Sequence, residues 1–579
     1  MLFSEKILCF CLDKDLDLLF TAEIYSLDGE TNKMTNHWKF ILILCISALT
    51  LFMSVGAYGL IESSDARYAE IARAMYLSGD YIHPNLMEVH HYHKPPLTYQ
   101  ITALGYHIFG LNTFGARFFL QIAILIQMIL VYALTLQLFA KKETALWAAM
   151  IFFTFPMLLI ASRNLTTDAF LAMFALLSIY AWVRYRKEGN MGYLYLFTLS
   201  LALGFLTKGP VIFIVPLIFI LFYNRTEPSK NSFGYHHLLA WLLFLALAFY
   251  WFIYLIIQDP QFLDYFLGRQ TVDRFAKDAF SRTEPFWYFL VFAPIVGLPW
   301  LFIFPYMIKV KKALFTKKSL YMALLLAVLI PMIFFSLSSS KRILYILPFY
   351  GLLAILIAQL LSTLTEEKSK IVNRIVLGYA MILLLLSSAT LMLETKFIIP
   401  GMLGVVSLFL IPPVLWIYRH KNMTFKSRAV TVSFIISAFL LGGSGMVIAE
   451  NELKLKSMKP VTDFIIAKGL QDRNIVMYNL RKPSITFHLN KSIISVHETN
   501  PSLARETEFE QDLHWKKYLI DMNKEEEQGY LKEVLATPSV FIVYHYPKYA
   551  QYPPLIPQRL WIIDGFQHKE KIGNWLVYY

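Results

Sequence analysis

Asp65 lies in a polar stretch, residues 61–113, and a further acid, Asp168, follows a pair of threonines downstream. Asp65 could act as a general base, because a positioned carboxylate can take a proton from a reacting hydroxyl group. It could equally be an acid in the first turn of a helix, where it complements the helix dipole. Asp168, which follows Thr166 and Thr167, leaves the same two alternatives open. The residue types therefore allow proton transfer but do not require it.

Four histidines occupy the same polar stretch: His83, His90, His91 and His93. His90 and His93 are three residues apart, a spacing that can suit a pair of metal ligands. A polar loop that is rich in histidine for no metal-related reason is the commoner case. We therefore predict no metal and no other cofactor, and keep a divalent metal held by His93 as the alternative.

The chain that must position these side chains is that of a polytopic membrane protein. Only 16% of its 579 residues are charged and 57% are hydrophobic, whereas a soluble protein typically has about 25% charged residues. About 20 apolar residues span a bilayer, and backbone groups in lipid must be satisfied within the segment, so such stretches are helices. We predict thirteen membrane helices: 39–60, 114–140, 144–161, 168–184, 192–207, 210–223, 237–257, 286–307, 319–337, 342–363, 372–394, 398–418 and 428–449.

Loop charges predict how these helices are oriented. If the N-terminus is cytoplasmic, most loop Lys and Arg residues lie inside, as the positive-inside rule requires. The short outer loops hold only five: Arg163, Lys208, Lys341, Arg342 and Lys396. Thirteen crossings then place the C-terminus outside the cytoplasm. Membrane insertion also explains the net charge of +13, so we expect membrane lipids, and no nucleic acid, as partners.

The loops and ends divide the chain into three parts. We expect residues 1–38 to be a disordered or cytoplasmic extension, within which Met34 is a second candidate start. Residues 39–449 form the membrane domain, with long outer loops at 61–113 and 258–285.

Residues 450–579 read as a small α/β domain outside the cytoplasm. Polar segments alternate there with strand-like runs at Asn474–Tyr478, Ser492–Val496 and Ser539–Tyr544. A helical pattern covers Asn523–Leu535, between two of these runs. The predicted fold class is therefore an all-α polytopic membrane protein with a small C-terminal α/β domain.

Asp65 is expected to begin a surface helix in the first outer loop. Apolar or small residues recur with helical spacing along DARYAEIARAMYLSGD, at Tyr68, Ile71, Ala72 and Met75. Ser64 is the expected N-cap and Gly79 the expected C-terminal stop, and such a helix would lie along the membrane surface. Glu62 lies before the cap, on a segment that we expect to be more mobile, and we expect its replacement by Gln to have little effect.

Several motifs resemble those of the bacterial lipid A aminoarabinose transferases, a family related to the protein O-mannosyltransferases. The similar runs are SDARYAEIARAMYLSGDYIHPNL, HYHKPPLTYQ, RNLTTDAFLAMF, FLTKGP, RFAKDAFSRTEPFWYFL and FFSLSSSKRILYILP. The resemblance covers residues 39–350 well. It implies a membrane glycosyltransferase of the GT-C class, which takes a sugar from a polyprenyl-phosphate carrier and transfers it to an acceptor on the outer face.

The resemblance also implies roles for individual residues. Asp65 would be the general base that deprotonates the acceptor hydroxyl, and Asp168 would be a second acid facing the cavity. The donor phosphate would be bound by Lys94, Arg67, Arg274, Tyr345, Lys341 and Arg342.

Two departures from the family pattern concern these roles. The family often has Asp-Glu before the Ala-Arg-Tyr run, whereas this chain has Ser64-Asp65, so its first acid is a serine. In the family, an acid before the lysine and a distant histidine help to bind zinc. Those positions are His93 and Thr271 here, so the family's zinc site is not reproduced.

We therefore predict a glycosyltransferase of a bacterial inner membrane that uses a polyprenyl-phosphate-linked sugar. The acceptor could be lipid A, a protein or another glycan, and pentose, aminopentose and hexose donors all remain open. A transporter or flippase of lipid-linked sugars is the alternative. Transporters often show internal repeats with broken helices, and no repeat is visible here. A ligase of preassembled oligosaccharides is a closer alternative.

Overall fold

The computed structural model describes residues 30–226, 233–268, 284–393, 395–498, 507–546, 555 and 557–579, with side chains from Trp38 onward. Most of the predicted N-terminal extension, and both Thr271 and Arg274, lie outside the described residues. The chain forms two units, Met1–Ile46 and Ser47–Tyr579. The described part of the first unit is the start of one helix, Glu30–Phe52.

Nine helical stretches in the described chain are long and apolar enough to cross a membrane. They are Thr113–Phe139, Thr167–Glu188, Met191–Lys208, Tyr235–Gln258, Leu320–Leu337, Ile343–Thr363, Glu366–Ala389, Gly401–Arg419 and Phe425–Glu450. Each corresponds to one of the predicted segments.

The other four predicted segments are present in bent or shortened form. Lys142–Thr154 and Pro156–Ser162 meet at 62°, and Tyr288–Val296 and Trp300–Val310 meet at 98°. Proline has no N–H to donate and clashes with the preceding turn, so Pro156 and Pro299 separate the halves of these pairs. Pro210–Tyr223 is an apolar helix shorter than a full span. The first helix is Glu30–Phe52, and its side chains are described over the apolar part Trp38–Phe52.

The first membrane helix ends at Phe52, eight residues before the predicted end at residue 60. Ser54 then adopts a left-handed backbone conformation, with φ 62°, and the chain leaves the helix. Arg163 satisfies the carbonyl groups at this helix end, donating to Leu51 O at 2.7 Å and Thr50 O at 3.2 Å. This buried arginine, predicted only as an outer-loop cation, therefore anchors the helix end.

Residues that the predicted orientation assigns to the outer side meet one another in the structure. Arg342 Nη1 donates to Ser64 Oγ at 2.8 Å, and Asn451 Nδ2 donates to Ile398 O at 2.6 Å. We call the end of the helical domain that holds these contacts the outer end.

Residues assigned to the inner side meet at the opposite ends of the same helices. Ser427 Oγ contacts Glu143 Oε1 at 3.4 Å, and Lys426 Nζ donates to Ser362 O at 2.9 Å. The alternation of chain direction that the loop charges predict is therefore present, whereas the side of the membrane that each end faces stays a prediction.

We expect alkaline phosphatase fused after Tyr579 to be active in cells, because the odd number of crossings places that residue outside the cytoplasm. A green fluorescent protein fused at the same point should be dark after export. Fusions after Glu188, at the predicted inner end, should give the opposite result. A fluorescent fusion after Tyr579 without phosphatase activity would overturn the orientation.

The first outer loop contains the predicted helix, at Ser64–Ser78. Gly79 ends it in the left-handed conformation, with φ 73°, as predicted. The prediction that Ser64 caps the helix is wrong: Ser63 is the N-cap residue, without a side-chain hydrogen bond, and Ser64 is the first helical residue. Two short antiparallel strands follow, Asn85–Leu86 and Val89–His90, and then helix Leu97–Phe109.

The C-terminal domain, residues 450–579, contains the predicted α/β arrangement. Its sheet has six strands among the described residues, in the spatial order Leu519–Asp521, Ile494–His497, Asn474–Tyr478, Ser539–Tyr544, Trp575–Tyr578 and Lys569–Ile572. The first four are parallel, Trp575–Tyr578 pairs antiparallel with Ser539–Tyr544, and Lys569–Ile572 pairs antiparallel with Trp575–Tyr578. The accompanying helices are Lys459–Ala467, Pro483–Leu489 and Glu525–Leu535. Two strands have the predicted bounds, and the run predicted at Ser492–Val496 begins and ends slightly later.

Buried apolar side chains hold this sheet together. Val476, Val496, Ile520 and Phe541 come from its four parallel strands and are all fully buried. A strand that is covered on both faces reads as a nearly continuous apolar run, which is why three of these strands could be found in the sequence. The short strand Leu519–Asp521 was not predicted.

Candidate active site

The Asp65 carboxylate is buried in a cluster of donors, and its residue is only 1% exposed. Arg117 donates to both oxygens, through Nη2 at 2.5 Å and Nε at 3.2 Å. The backbone N–H groups of Ile61 and Leu165 donate to the same two oxygens at 3.0 Å each. Because four donors surround the carboxylate, this geometry favours a structural role over that of a base.

Arg117 ties several segments to Asp65. Its guanidinium also donates to the carbonyl oxygens of Val55 and Gly59, at 3.0 and 2.9 Å, and lies 4.0 Å from the centre of the Tyr58 ring. The pair therefore fixes the chain between the first membrane helix and the Ser64–Ser78 helix, which we call the first-loop helix.

Ser64 occupies the position where the resembling family often has its first acid. Its hydroxyl accepts the hydrogen bond from Arg342 and is half-buried. Arg342 follows the end of helix Leu320–Leu337, so this contact brings two distant outer segments together. A neutral hydroxyl group that already accepts from an arginine is unsuited to the role of the base.

Asp168 lies on the first turn of helix Thr167–Glu188, beside a lysine and a tyrosine. Its Oδ1 pairs with Lys208 Nζ, and the same ammonium group lies 4.4 Å from the centre of the Tyr345 ring. Thr166 caps the helix by accepting from the backbone N–H of Asp168 at 3.3 Å. The described residues donate no hydrogen bond to Asp168 Oδ2. One oxygen of this acid can therefore take a proton.

The structure adds Lys208 to the predicted site residues. The sequence pointed to it twice, through the FLTKGP motif and as a cation on the outer side, but gave no partner for it. Helix Thr167–Glu188 packs against helix Met191–Lys208 and against the 3₁₀ segment Ile343–Phe349 that carries Tyr345. That packing brings Asp168, Lys208 and Tyr345 together.

The ammonium group of Lys341 is buried and bonded to backbone carbonyl groups. Its ammonium group donates to Ser338 O at 2.5 Å and to Glu284 O at 2.7 Å, and the residue is 5% exposed. It therefore holds the chain just after helix Leu320–Leu337 ends. We leave Lys341 out of the proposed phosphate site for this reason.

Arg67 and Lys94 lie in the first outer loop and are both half-buried. The Arg67 guanidinium forms no hydrogen bond or ion pair with any side chain that the structure describes. The neighbouring His91 is fully buried, and its pKa lies well below the ordinary value because of burial and the nearby His93 and Arg67. The loop thus presents cationic groups around a neutral histidine.

Lys94 is positioned by the helix that follows it. Pro95 and Pro96 precede helix Leu97–Phe109, which packs against the first-loop helix and against helix Met191–Lys208. This packing places the segments that carry Lys94, Arg67 and Lys208 side by side. Arg274 was predicted to join them but lies outside the described residues.

The histidines form pairs with acids and with each other. His83 Nδ1 contacts Asp80 Oδ2 at 2.7 Å, and His90 Nδ1 contacts Glu510 Oε1 at 3.1 Å. Within the described residues, no three His, Cys, Asp or Glu side chains converge on a position for a metal. The expectation that no metal is required stays a prediction, since position 271 is not described.

Residues 93–254 match the family described as dolichyl-phosphate-mannose-protein mannosyltransferase. An undecaprenyl phosphate-alpha-4-amino-4-deoxy-L-arabinose arabinosyl transferase of Aeromonas hydrophila is 30% identical over 311 residues, 52% of this chain and 56% of that protein. A Pseudomonas fluorescens protein of the same description, numbered 2, is 27% identical over 57% of this chain and 60% of its own length. The chain thus spans little more than half the length of these relatives.

Solved structures are similar over nearly the whole chain. ArnT from Cupriavidus metallidurans bound to undecaprenyl phosphate has a TM-score of 0.74 at 19% identity, covering 93% of this chain and 97% of that one. Its apo form gives a TM-score of 0.72 at 18% identity. These comparisons confirm the fold class and the resemblance that the motifs indicate.

Proposed function

We propose that this chain, which has the GT-C fold, transfers a sugar from an undecaprenyl phosphate carrier to an acceptor at the outer face of a bacterial inner membrane. One observation carries this proposal: an acid and several cations from separate segments of the chain meet at the outer end. Asp168 pairs there with Lys208, and Arg342 donates to Ser64. Tyr345, three residues after Arg342, lies against Lys208. The relatives' names supply the donor carrier and make 4-amino-4-deoxy-L-arabinose the first sugar to test.

The chemistry of such a donor fits this arrangement. A polyprenyl-phosphate sugar has an apolar tail, an anionic phosphate and a polar sugar, so its enzyme must offer cations where membrane helices end. Lysine and arginine are rare in the short outer loops of this chain. Ionisable residues at such positions in a membrane protein need a functional or structural reason. Phosphate binding supplies that reason for Arg67, Lys94 and Arg342, and pairing with Asp168 supplies it for Lys208.

The proposed step is a displacement at the anomeric carbon with inversion of configuration. The acceptor hydroxyl oxygen forms a bond to the anomeric carbon while the bond from that carbon to the phosphate oxygen breaks. The hydroxyl proton passes to Asp168, and the phosphate keeps the electron pair of the broken bond. The product is a glycosylated acceptor and undecaprenyl phosphate. Atoms and charges balance without any further reactant.

Each side chain has one role in this scheme. Asp168 accepts the proton at Oδ2 while Lys208, on Oδ1, orients it. Arg67, Lys94 and Arg342 stabilise the negative charge that grows on the leaving phosphate, which is where preorganised donors are most effective. Tyr345 lies against Lys208 and holds that ammonium in place. Asp65, with Arg117, anchors the helix that carries Ser64 and Arg67.

A transporter without transferase chemistry is less well supported. Substrate sites in transporters typically lie near the bilayer midplane, at broken helices. The ionisable contacts described above are instead at the outer ends of helices, where a soluble or lipid-linked acceptor can approach.

The proposal is tested by mass spectrometry of lipid A and total glycoprotein from cells with and without the protein. We expect one acceptor class to lose a single sugar residue when the protein is absent, and to regain it on expression of the wild-type chain. Accumulation of the undecaprenyl phosphate-linked sugar should accompany the loss. Unchanged lipid A and glycoprotein together with altered sidedness of the lipid-linked sugar would instead identify a flippase.

A further inference from the structure

The segment just before the first-loop helix is held by the C-terminal domain. Gly59 N donates to Glu452 Oε1 at 2.6 Å, and Leu60 N donates to His488 Nε2 at 3.3 Å. Glu62 N donates to Lys456 O at 3.3 Å. Residues beyond the last membrane helix thus accept hydrogen bonds from three of the four backbone N–H groups of residues 59–62. The fourth, Ile61 N, donates to Asp65 Oδ2.

The contact is close enough to restrict the residue types in it. A Cβ atom at Gly59 would lie 2.5 Å from both Lys459 Cβ and Ser457 Oγ, so only glycine fits there. Ile61 also pairs with Ser457 as an isolated antiparallel bridge. The segment Gly59–Glu62 is therefore packed tightly against the start of the C-terminal domain.

Glu62 accepts two hydrogen bonds from a single residue of the C-terminal domain. Its Oε1 accepts from Ser484 Oγ at 2.6 Å and from Ser484 N at 3.0 Å. Ser484 is fully buried and lies on helix Pro483–Leu489, which packs against the first-loop helix. The expectation that Glu62 lies on a mobile segment is therefore wrong, because Glu62 is held by a partner more than 400 residues away in the sequence.

A second set of contacts continues along the same interface. Arg73, on the first-loop helix, donates to Asn490 Oδ1 at 3.1 Å. Burial lowers the pKa of His488 to about 4, so its ring is neutral near pH 7 and Nε2 can accept from Leu60. The hydrogen bond from Leu60 to His488 is therefore kept at neutral pH.

We propose that Glu62 is a positioning residue: through Ser484 it uses the C-terminal domain to hold the helix that carries Ser64, Asp65 and Arg67. The two residues between Glu62 and Asp65 leave little slack, so a shift at Glu62 moves the start of the helix. Displacements of about 1 Å by residues remote from the chemistry can lower rates about 100-fold. This role rests on the proposed transferase function, because its consequence is a change in turnover.

The test compares Glu62→Ala with Glu62→Gln in the full-length protein. We expect Glu62→Ala to lower kcat per folded molecule by about 10- to 100-fold with the donor KM little changed. Glu62→Gln should restore most of the turnover, since an amide oxygen can accept both bonds from Ser484. Glu533→Ala, an exposed carboxylate on helix Glu525–Leu535 of the same domain, is the matched control and should behave as wild type.

Two further measurements separate positioning from loss of folding. Combining Glu62→Ala with Ser484→Ala should lower kcat no further than Glu62→Ala alone, as expected for partners in one contact. Hydrogen–deuterium exchange should rise over residues 59–78 in Glu62→Ala and stay low in Glu62→Gln. If the wild-type protein is active and Glu62→Ala has a normal kcat, this inference alone is overturned. A wild-type protein that transfers no sugar overturns the proposed function, while the exchange data still report on the contact.

Discussion

Asp168→Asn is expected to lower the turnover of sugar transfer by at least about 100-fold, because general-base catalysis typically contributes about 10²–10⁴-fold. Asparagine keeps the size of the side chain, and its oxygen can still accept from Lys208, so the protein should fold. It has no carboxylate oxygen to take the acceptor's proton. The measurement is kcat of the purified protein with an undecaprenyl phosphate-linked sugar, and the donor KM should change little.

Asp472→Asn provides the matched control for this substitution. Asp472 is exposed in the C-terminal domain, and the same chemical change there should leave turnover at the wild-type level. Near-normal turnover of Asp168→Asn would contradict the assignment of the base.

Asp65→Asn tests the other acid, and we expect it to lower the stability of the protein rather than its turnover. It leaves the buried Arg117 guanidinium without its counter-charge, and breaking a buried ion pair typically costs about 3–5 kcal/mol. We expect a lower yield and a lower melting temperature, with the folded fraction retaining most of its turnover. Folded Asp65→Asn that is inactive, beside active Asp168→Asn, would assign the base to Asp65.

The sequence was sufficient to predict most membrane helices and three of the six described strands of the terminal sheet, since both depend on local patterns. An apolar stretch of about 20 residues identifies itself as a membrane helix. Likewise, Asn474–Tyr478 and Ser539–Tyr544 are apolar runs between polar segments, and the structure reproduces their bounds. The end of the first helix was predicted less well, because a left-handed Ser54 and the capping Arg163 have no local signal.

The site was harder to predict because its contacts join residues far apart in the sequence. Asp65 is paired with Arg117, 52 positions away and inside an apolar segment where a buried arginine is unexpected. Glu62 is paired with Ser484, 422 positions away. Spacing in the sequence can place a residue on a helix face, but it does not show which side chain faces it. The roles of Asp65 and Glu62 therefore depended on the fold.

Lys94→Ala is expected to lower kcat/KM for the donor by about 10- to 150-fold, because losing a hydrogen bond to a charged group typically costs about 1.5–3 kcal/mol. Lys94 is half-buried in the loop that precedes helix Leu97–Phe109, and alanine there leaves the following prolines and the helix unchanged. Expression and melting temperature should stay normal. Lys571→Ala, on the exposed outer strand of the C-terminal sheet, is the control and should have no effect.

Product inhibition shows whether Lys94 contacts the phosphate or the sugar. Undecaprenyl phosphate is the product that keeps the donor's phosphate and lacks its sugar. Removing a lysine that binds the phosphate should therefore weaken inhibition by undecaprenyl phosphate as much as it weakens use of the donor. Lys94→Arg keeps the charge and should fall between wild type and Lys94→Ala for both quantities. Normal kcat/KM in Lys94→Ala would exclude a phosphate contact, and a lower kcat/KM with unchanged product inhibition would assign Lys94 to the sugar.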